Sequence, residues 1–398
     1  MTADASERTR QNRLARITPI VRGLLAEETG DQDIPYQPVI LKSLTTPEAL
    51  AFAASAGGAE APPYPAPLAE GRIPPLFLDL EDSDAPPEDI RKHVAGELSA
   101  YSHQHGSKPQ ILCFRQLGAL HVEKSDSRPD MPLWNRVALV TGAAGAIGYG
   151  ICRGLLEKGS HVVATDLPGP KLDSLTDDLN QEAPQRVTGI PIDVTDPESV
   201  RQGFNNAILT WGGLDIVVVN AGIATVSPLK QMDIEAFRRL ERVNVEGAML
   251  TLSETARHFI LQATGGDIIV VSTKNVPSPG AGFGAYSATK AACHQLGRIA
   301  SIELAQYGVR VNMVAPDAVF AEGRYRSGLW EQIGPERMQA RGLDEAQLQE
   351  YYRGRNLLKS RITGRHVANA VLFFATRQTP TTGATIPVDG GLPDATPR

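Results

Sequence analysis

The chain has 398 residues and a formal net charge of −6. At about 100–200 residues per domain, that leaves room for two domains or one large domain with an extension. Hydrophobic residues at 42% and charged residues at 21% describe a globular chain with a substantial core. The acidic balance makes nucleic acid and anionic membrane poor partners. Cys113, Cys152 and Cys293 lie far apart in sequence. That argues against a disulfide framework or a Cys-built zinc site and suits a reducing, cytoplasmic compartment.

The stretch up to Pro19 carries charge without an apolar core, so no secretory signal is expected there. In the first 130 residues, Val39–Leu41 and Leu76–Leu80 read as short strands. Thr46 and Pro47 open a helix through Ala54, with Thr46 as N-cap and Pro47 at the first helical position. Ala61–Pro67 is rich in proline and predicts an extended loop. Pro87–His103 predicts an amphipathic helix with Ile90, Val94, Leu98 and Tyr101 on one stripe. Ile111–Phe114 and Ala119–Val122, either side of Gly118, predict a hairpin. His103 and His105 form an H-x-H pair without a supporting cluster, so no metal site is expected.

Residues 1–130 carry 13 Lys and Arg against 19 Asp and Glu, and 14 of the 29 prolines. Residues 131–398 carry 26 of each charge. A boundary near Ser125–Pro132 follows, separating a small acidic, Pro-rich α/β extension (1–130) from a second domain (131–398). That second part alternates. Arg136–Val140, His161–Thr165, Val187–Ile192, Asp215–Val219, Asp267–Ser272, Val309–Val314 and Thr385–Val388 read as strands buried on both faces. Helical patterns separate most of them. The expected fold is α/β: a doubly wound parallel sheet of about seven strands. The nearly apolar run Val137–Leu156 contains five glycines and Arg153 and reads as strand, loop and helix rather than a membrane span.

Between the first strand and first helix stand Thr141, Gly142, Ala143, Ala144, Gly145, Ala146, Ile147 and Gly148. The glycine spacing permits a tight turn that aims a helix N-terminus at a pyrophosphate. The second strand ends at Asp166. A carboxylate there accepts hydrogen bonds from the adenosine ribose and repels a 2′-phosphate, so NAD rather than NADP is expected. Tyr286 and Lys290 lie four apart on a long helical pattern and share a face. A free phenol is a poor base at neutrality; a nearby ammonium favours the phenolate, which can then take a hydroxyl proton.

These motifs, together with the IDVTD run containing Asp193 and Val194, Asn220-Ala221-Gly222, Asn244 in RVNVEG, and Tyr286-Ser287-Ala288-Thr289-Lys290, resemble the short-chain dehydrogenase/reductase family. The likeness covers about residues 133–392. It implies a Rossmann-type fold, a nicotinamide cofactor, a small-molecule substrate and a homodimer or homotetramer. By that resemblance, Tyr286 is the acid/base and Lys290 assists it and holds the ribose. Asn244 supports a proton relay. The hydroxyl 13 residues before the tyrosine, on Thr273 (or its neighbour Ser272), orients the reacting oxygen. Asp193 and Val194 edge the adenine or simply make a strand-end turn. Pro316 and Val319 border the nicotinamide pocket. Lys274 and Asp317 are candidate substrate contacts, Asp317 being equally readable as a turn residue.

Two positions depart from the family pattern: Ala146 replaces a usual glycine, and Asp317 stands where Pro-Gly is common. The arginine-rich segment Phe320–Leu358 falls where the family builds its variable substrate lid. Its arginines read either as anion ligands or as a solvated surface neutralised by nearby acids. Segments including Val271–Asn275, Ala315–Phe320 and Ser327–Trp330 resemble the dehydrogenase half of bifunctional rhamnulose-1-phosphate aldolase/lactaldehyde dehydrogenases. Residues 46–122 resemble a shortened end of the aldolase half. That implies a sugar, polyol or hydroxyaldehyde substrate. A ketoreductase of a specialised biosynthetic route, or a non-catalytic NAD-binding regulatory or scaffold protein, are the alternatives.

Overall fold

The computed structural model describes residues 2–55, 73–80, 82–123, 128 and 130–393. The expected Ala61–Pro67 loop and part of the proposed boundary lie outside these residues. Two compact units are present: one gathers Met1–Ser127 with Phe204–Leu214 and Arg257–Thr264, the other Arg128–Gly203, Asp215–Ala256 and Gly265–Arg398.

The larger unit is built on a seven-stranded, all-parallel sheet. In chain order its strands are β1 (Val137–Thr141), β2 (His161–Asp166), β3 (Val187–Pro191), β4 (Ile216–Val219), β5 (Gly266–Val271), β6 (Val309–Pro316) and β7 (Thr385–Val388). Their spatial order is β7-β6-β5-β4-β1-β2-β3. The chain winds outward from β1 to β3, then returns to the other side of β1 at β4. That reversal leaves a crevice at the carboxyl ends of β1 and β4. Every residue of β1, β4 and β5 is buried, which explains their unbroken Val and Ile runs. The connecting helices include α1 (Ala146–Glu157), α2 (Pro170–Glu182), α3 (Pro197–Trp211), α4 (Ile234–Glu241), α5 (Gly247–Gln262), α6 (Gly284–Glu303), α7 (Gly328–Arg341), α8 (Glu345–Arg355) and α9 (Gly364–Ala375). Ala138, Val140, Ile151, Leu155, Val218, Ile269, Val367 and Val371 belong to one continuous core.

The charged groups buried at the amino ends of the strands are all paired. Asp215 accepts the Val137 N–H at 2.7 Å. Asp267, 2% exposed, receives Arg310 at 3.1 Å and Arg377 at 2.8 Å. Uncompensated burial of such a carboxylate would be costly, so the two guanidiniums are part of the sheet's construction.

The smaller unit holds a four-stranded sheet in the order 41–44, 118–122, 111–114, 76–78, antiparallel except for the last pair. The expected hairpin is present, as are the helix over Pro47–Ala54, with Thr46 accepting the Ala49 N–H, and the helix over Pro87–His105. A further helix, Thr2–Leu25, was not apparent from the sequence. Its Leu14, Ile17, Ile20, Val21 and Leu25 enter the same core as Ile90, Val94 and Leu98. Arg22 is buried on that face. It donates to Val39 O at 2.8 Å and Gln262 Oε1 at 3.1 Å.

All three thiols are buried. Burial pushes the Cys113 thiol up to about 12 and raises Cys152 and Cys293 as well. Since the thiolate is the reactive form, Ellman's reagent should modify none of the three cysteines in the native protein and all of them after denaturation. Fast labelling of a thiol before unfolding would contradict this packing.

Candidate active site

The crevice above β1 and β4 opens into a cavity of about 500 Å³. Its organisation starts at Thr141, the last residue of β1. The Thr141 hydroxyl accepts the backbone N–H groups of Asn220 at 2.9 Å and Ala221 at 3.1 Å. In return the Asn220 side chain donates to Thr141 O at 2.9 Å and Gly142 O at 2.8 Å. Gly142 has φ +62°, and a Cβ there would come within 2.8 Å of Ala221 Cα. Only glycine satisfies both the backbone and the space. Gly148 is equally constrained: a Cβ would lie 2.4 Å from Gly142 O, so α1 can pack this closely only without a side chain.

Gly145 is the N-cap of α1, in extended conformation, and no side chain caps the helix. A Cβ at Gly145 would meet nothing within 4 Å. An uncapped helix start beside open space suits a phosphate. Ile147 and Ala146 also line the cavity, and the Ala146 side chain belongs to the core beside Ala143 and Val319. Asp166 is held in place at the cavity wall. One carboxylate oxygen accepts Ala144 N–H at 2.9 Å and the other Leu167 N–H at 2.8 Å. Asp193 spends one oxygen on the N–H and hydroxyl of Thr195, at 2.9 and 2.7 Å. It therefore makes a strand-end turn while lining the cavity next to Val194.

At the other end, Tyr286 and Lys290 both project from α6 into the cavity. Lys290 is buried and its ammonium donates to Val271 O at 2.6 Å. Asn244 sits in a π-helical turn, Arg242–Glu246, and is 1% exposed. It does not line the cavity. Its amide clamps Ile223 through N–H and C=O, both at 2.9 Å, and donates to Thr289 Oγ1 at 3.1 Å. Gly222 lies against it: a Cβ there would stand 3.2 Å from Asn244 Oδ1 and 3.8 Å from Lys290 Nζ. Ser272 and Thr273 are both buried cavity residues. The Ser272 hydroxyl is bonded to His294 Nδ1 at 2.9 Å, whereas Thr273 Oγ1 receives only a long contact from Asn275 N–H at 3.3 Å. Pro316 and Val319 line the wall as expected.

Lys274 and Asp317 also line the cavity. Asp317 is paired with Arg355 at 3.2 Å. Burial pushes its carboxyl above the usual range, against the pull of Arg355 and Lys274. Burial also holds the Lys274 ammonium below the usual lysine range, with Asp317 pulling back. The arginines of the lid segment divide. Arg324, Arg326 and Arg353 pair with Asp178, Glu345 and Glu350 respectively. Arg326 lines the cavity as well, together with Arg337, Arg341, Arg355, Trp330 and Tyr352. The sequence left the lid arginines, Arg337 and Arg355 among them, open between anion ligands and a solvated surface, and gave Thr141 no role of its own. A threonine ending the first strand, directly before the glycine turn, was the available signal for Thr141. Among the described residues, no cluster of His, Cys, Asp and Glu is arranged to hold a metal ion, and no helix is long and apolar enough to cross a membrane.

Residues 136–331 match the family model for short chain dehydrogenases. The chain is 31% identical over 265 residues to (-)-isopiperitenol/(-)-carveol dehydrogenase of Mentha piperita, covering 65% of this chain and 94% of that protein. It is 36% identical over 272 residues to the uncharacterized oxidoreductase YuxG of Bacillus subtilis, covering 68% of this chain. It spans only 39% of that relative's length. Sorbitol-6-phosphate 2-dehydrogenase from Erwinia amylovora superposes with a TM-score of 0.59 at 27% identity, over 64% of this chain and 98% of that one. The chain belongs to the short-chain dehydrogenase family.

Valine at position 141 keeps the shape of threonine but removes the acceptor shared by two N–H groups. Thr141→Val should lower the unfolding free energy by about 1–3 kcal/mol and weaken dinucleotide binding. Urea unfolding and cofactor titration measure the two effects, and wild-type values in both would refute the role given to this hydroxyl.

Proposed function

We propose that the protein is an NAD-dependent oxidoreductase acting on a hydroxyl or carbonyl group of a small substrate. The observation that carries the reading is a single cavity with the pinned Asp166 carboxylate and uncapped α1 at one end and Tyr286, Lys290 and Thr273 at the other. The bound nicotinamide supplies the hydride acceptor or donor. The chain's own residues do the rest. Gly142, Gly145 and Gly148 let the backbone approach the pyrophosphate. Asp166 keeps lone pairs for the ribose hydroxyls, and its charge opposes a 2′-phosphate.

In the oxidative direction, Tyr286 takes the hydroxyl proton while the C–H bond of the same carbon breaks and its electron pair leaves as hydride. The carbon and oxygen become a carbonyl. In reduction, Tyr286 returns the proton. Thr273 donates a hydrogen bond to the reacting oxygen; Ser272 is already engaged by His294. Lys290 sets a positive charge on the same helix face as Tyr286 and holds the ribose. Asn244 acts through position, keeping Ile223 and the Gly222 backbone in register with Lys290.

The relatives' substrates are alcohols of varied shape. L-2,3-butanediol dehydrogenase of Corynebacterium glutamicum and sorbitol dehydrogenase of Cereibacter sphaeroides are 31% and 30% identical to this chain. A polyol, sugar or hydroxyaldehyde is the substrate class we favour. The aldolase-like reading of residues 46–122 rests on the sequence pattern alone, since the matched family model begins at residue 136.

Purified protein should reduce NAD with members of a polyol, sugar and hydroxyaldehyde panel, followed by absorbance of the reduced cofactor. Tyr286→Phe should cost about 100-fold or more in kcat, and Asp166→Ala should shrink the preference for NAD over NADP. Turnover that survives Tyr286→Phe would exclude the proposed acid/base. An unaltered cofactor preference in Asp166→Ala would exclude the assignment of NAD selectivity.

A further inference from the structure

The cavity's substrate end has more positive charge than the reaction requires. Lys274 follows directly after Thr273, the residue that meets the reacting oxygen. Around Lys274 stand Arg337, Arg355, Asp317 and Asp389. Asp317 is taken by Arg355, with contacts of 3.2 and 3.3 Å. Asp389 lies outside the cavity lining, 4% exposed, and accepts the Gly391 N–H at 2.8 Å. Neither Lys274 nor Arg337 has a carboxylate within ion-pair distance among the described residues. The Lys274 ammonium has a carbonyl partner, Ser278 O at 3.3 Å.

Arg337 is held in a defined pose. Its guanidinium lies over the Phe283 ring at 5.0 Å, and one nitrogen donates to the Tyr352 hydroxyl at 3.2 Å. Phe283 in turn meets Tyr286 edge to face, with ring centroids 6.1 Å apart. The cation is therefore anchored beside the proposed acid/base. Its Nε is buried and has no hydrogen-bond partner. A guanidinium with a buried, unused N–H loses hydration without compensation. Lys274, Arg337 and Arg355 face two carboxylates in this group, Asp317 and Asp389, which leaves one positive charge over.

We propose that the substrate carries a carboxylate or phosphate group, seated against Lys274 and Arg337. This deepens the oxidoreductase reading and rests on it for the position of the reacting oxygen. An anionic group supplies acceptors for the Lys274 ammonium and the Arg337 guanidinium, and the planar guanidinium suits either oxyanion. It also offsets the burial that disfavours the charged Lys274. Arg355 is kept out of this role by Asp317, which fixes it as one side of the pocket. Arg326, which also lines the cavity, and Arg353 have acidic partners of their own in Glu345 and Glu350.

The experiment uses the full chain with matched probes: 3-hydroxybutyrate against 2,3-butanediol for a carboxylate, and sorbitol 6-phosphate against sorbitol for a phosphate. Calorimetric binding to the protein saturated with reduced cofactor is measured beside turnover. The charged member of at least one pair should be favoured by about tenfold or more, with the preference falling as ionic strength rises. The pair that shows it identifies the oxyanion. In Arg337→Met and Lys274→Met, the ratio of charged to neutral kcat/KM should drop by about tenfold; cofactor binding reports whether each variant is folded.

Wild-type protein gives a second measurement that no variant can spoil. Inorganic phosphate or acetate should inhibit turnover competitively with the substrate. Binding of a charged probe without turnover would remove the oxidoreductase reading and leave the anion site standing. Turnover or binding that is equal for charged and neutral probes, or a ratio unchanged in both variants, overturns the anion site and leaves the oxidoreductase.

Discussion

One side-chain oxygen joins the two halves of the crevice above β1 and β4. Thr141 ends β1, and its hydroxyl receives two consecutive N–H groups from the segment after β4. Parallel strands have no hydrogen bonds left to offer past their last paired residue, so the chain at a switch point needs another device to stay shut. Asn220 completes it from the other side by donating to the carbonyls of Thr141 and Gly142. The glycine turn and the Asn220–Gly222 segment are thereby fixed against each other. Asn244 carries the order one layer further by gripping both polar groups of Ile223. It can do so because the helix widens there into a π turn, a local irregularity of the kind often found at functional sites.

The two ends of the cavity use charge differently. At one end, the Asp166 carboxylate is held by its own glycine turn through the Ala144 N–H. The same loop leaves the start of α1 without a side-chain cap. At the other end, among the described residues, no carboxylate lies within ion-pair distance of Lys290, which is buried against the Val271 carbonyl. The proposed acid–base groups there are a phenol and hydroxyls. Ser272 and Thr273 illustrate the division of labour between neighbouring residues. One hydroxyl is tied to His294, whose imidazole is held toward its neutral form by burial and by Arg298 and Lys290. The other is left for the cavity.

The sheet and the glycine turn were legible because both follow short-range rules. Runs such as Ile216–Val219 are apolar on both faces, and Gly142, Gly148, Tyr286 and Lys290 are placed on the cavity by their spacing. The first helix was hidden for a physical reason. Leu14, Ile17, Ile20, Val21 and Leu25 recur at helical spacing, but Arg8, Arg10 and Arg13 precede them, Arg16 and Arg22 interrupt them, and Pro19 looks like a breaker. Arg22 belongs to the buried face because its guanidinium finds a carbonyl and an amide, Val39 and Gln262, far away in sequence. Likewise the arginines of the lid segment cannot be sorted by composition. Whether Arg326 or Arg337 reaches an acid depends on where Glu345 and Tyr352 lie in space.

Asp317 connects these scales. The carboxylate occupies a place where the family pattern commonly has glycine, at the end of β6, and burial works against its charge. It is kept because Arg355, on α8, reaches back to it while lying over the Tyr352 ring at 4.6 Å. Tyr352 packs edge-on against Trp330 of α7 and Phe320, with Trp330 stacked on Phe320 at 4.4 Å. An ion pair and an aromatic cluster thus anchor the variable segment to the end of a rigid strand. Buried charge of this kind adds little stability compared with an apolar equivalent, but it specifies a partner and a direction. The departure from the family pattern at one strand end therefore holds one cation of the lid, Arg355, at the cavity wall.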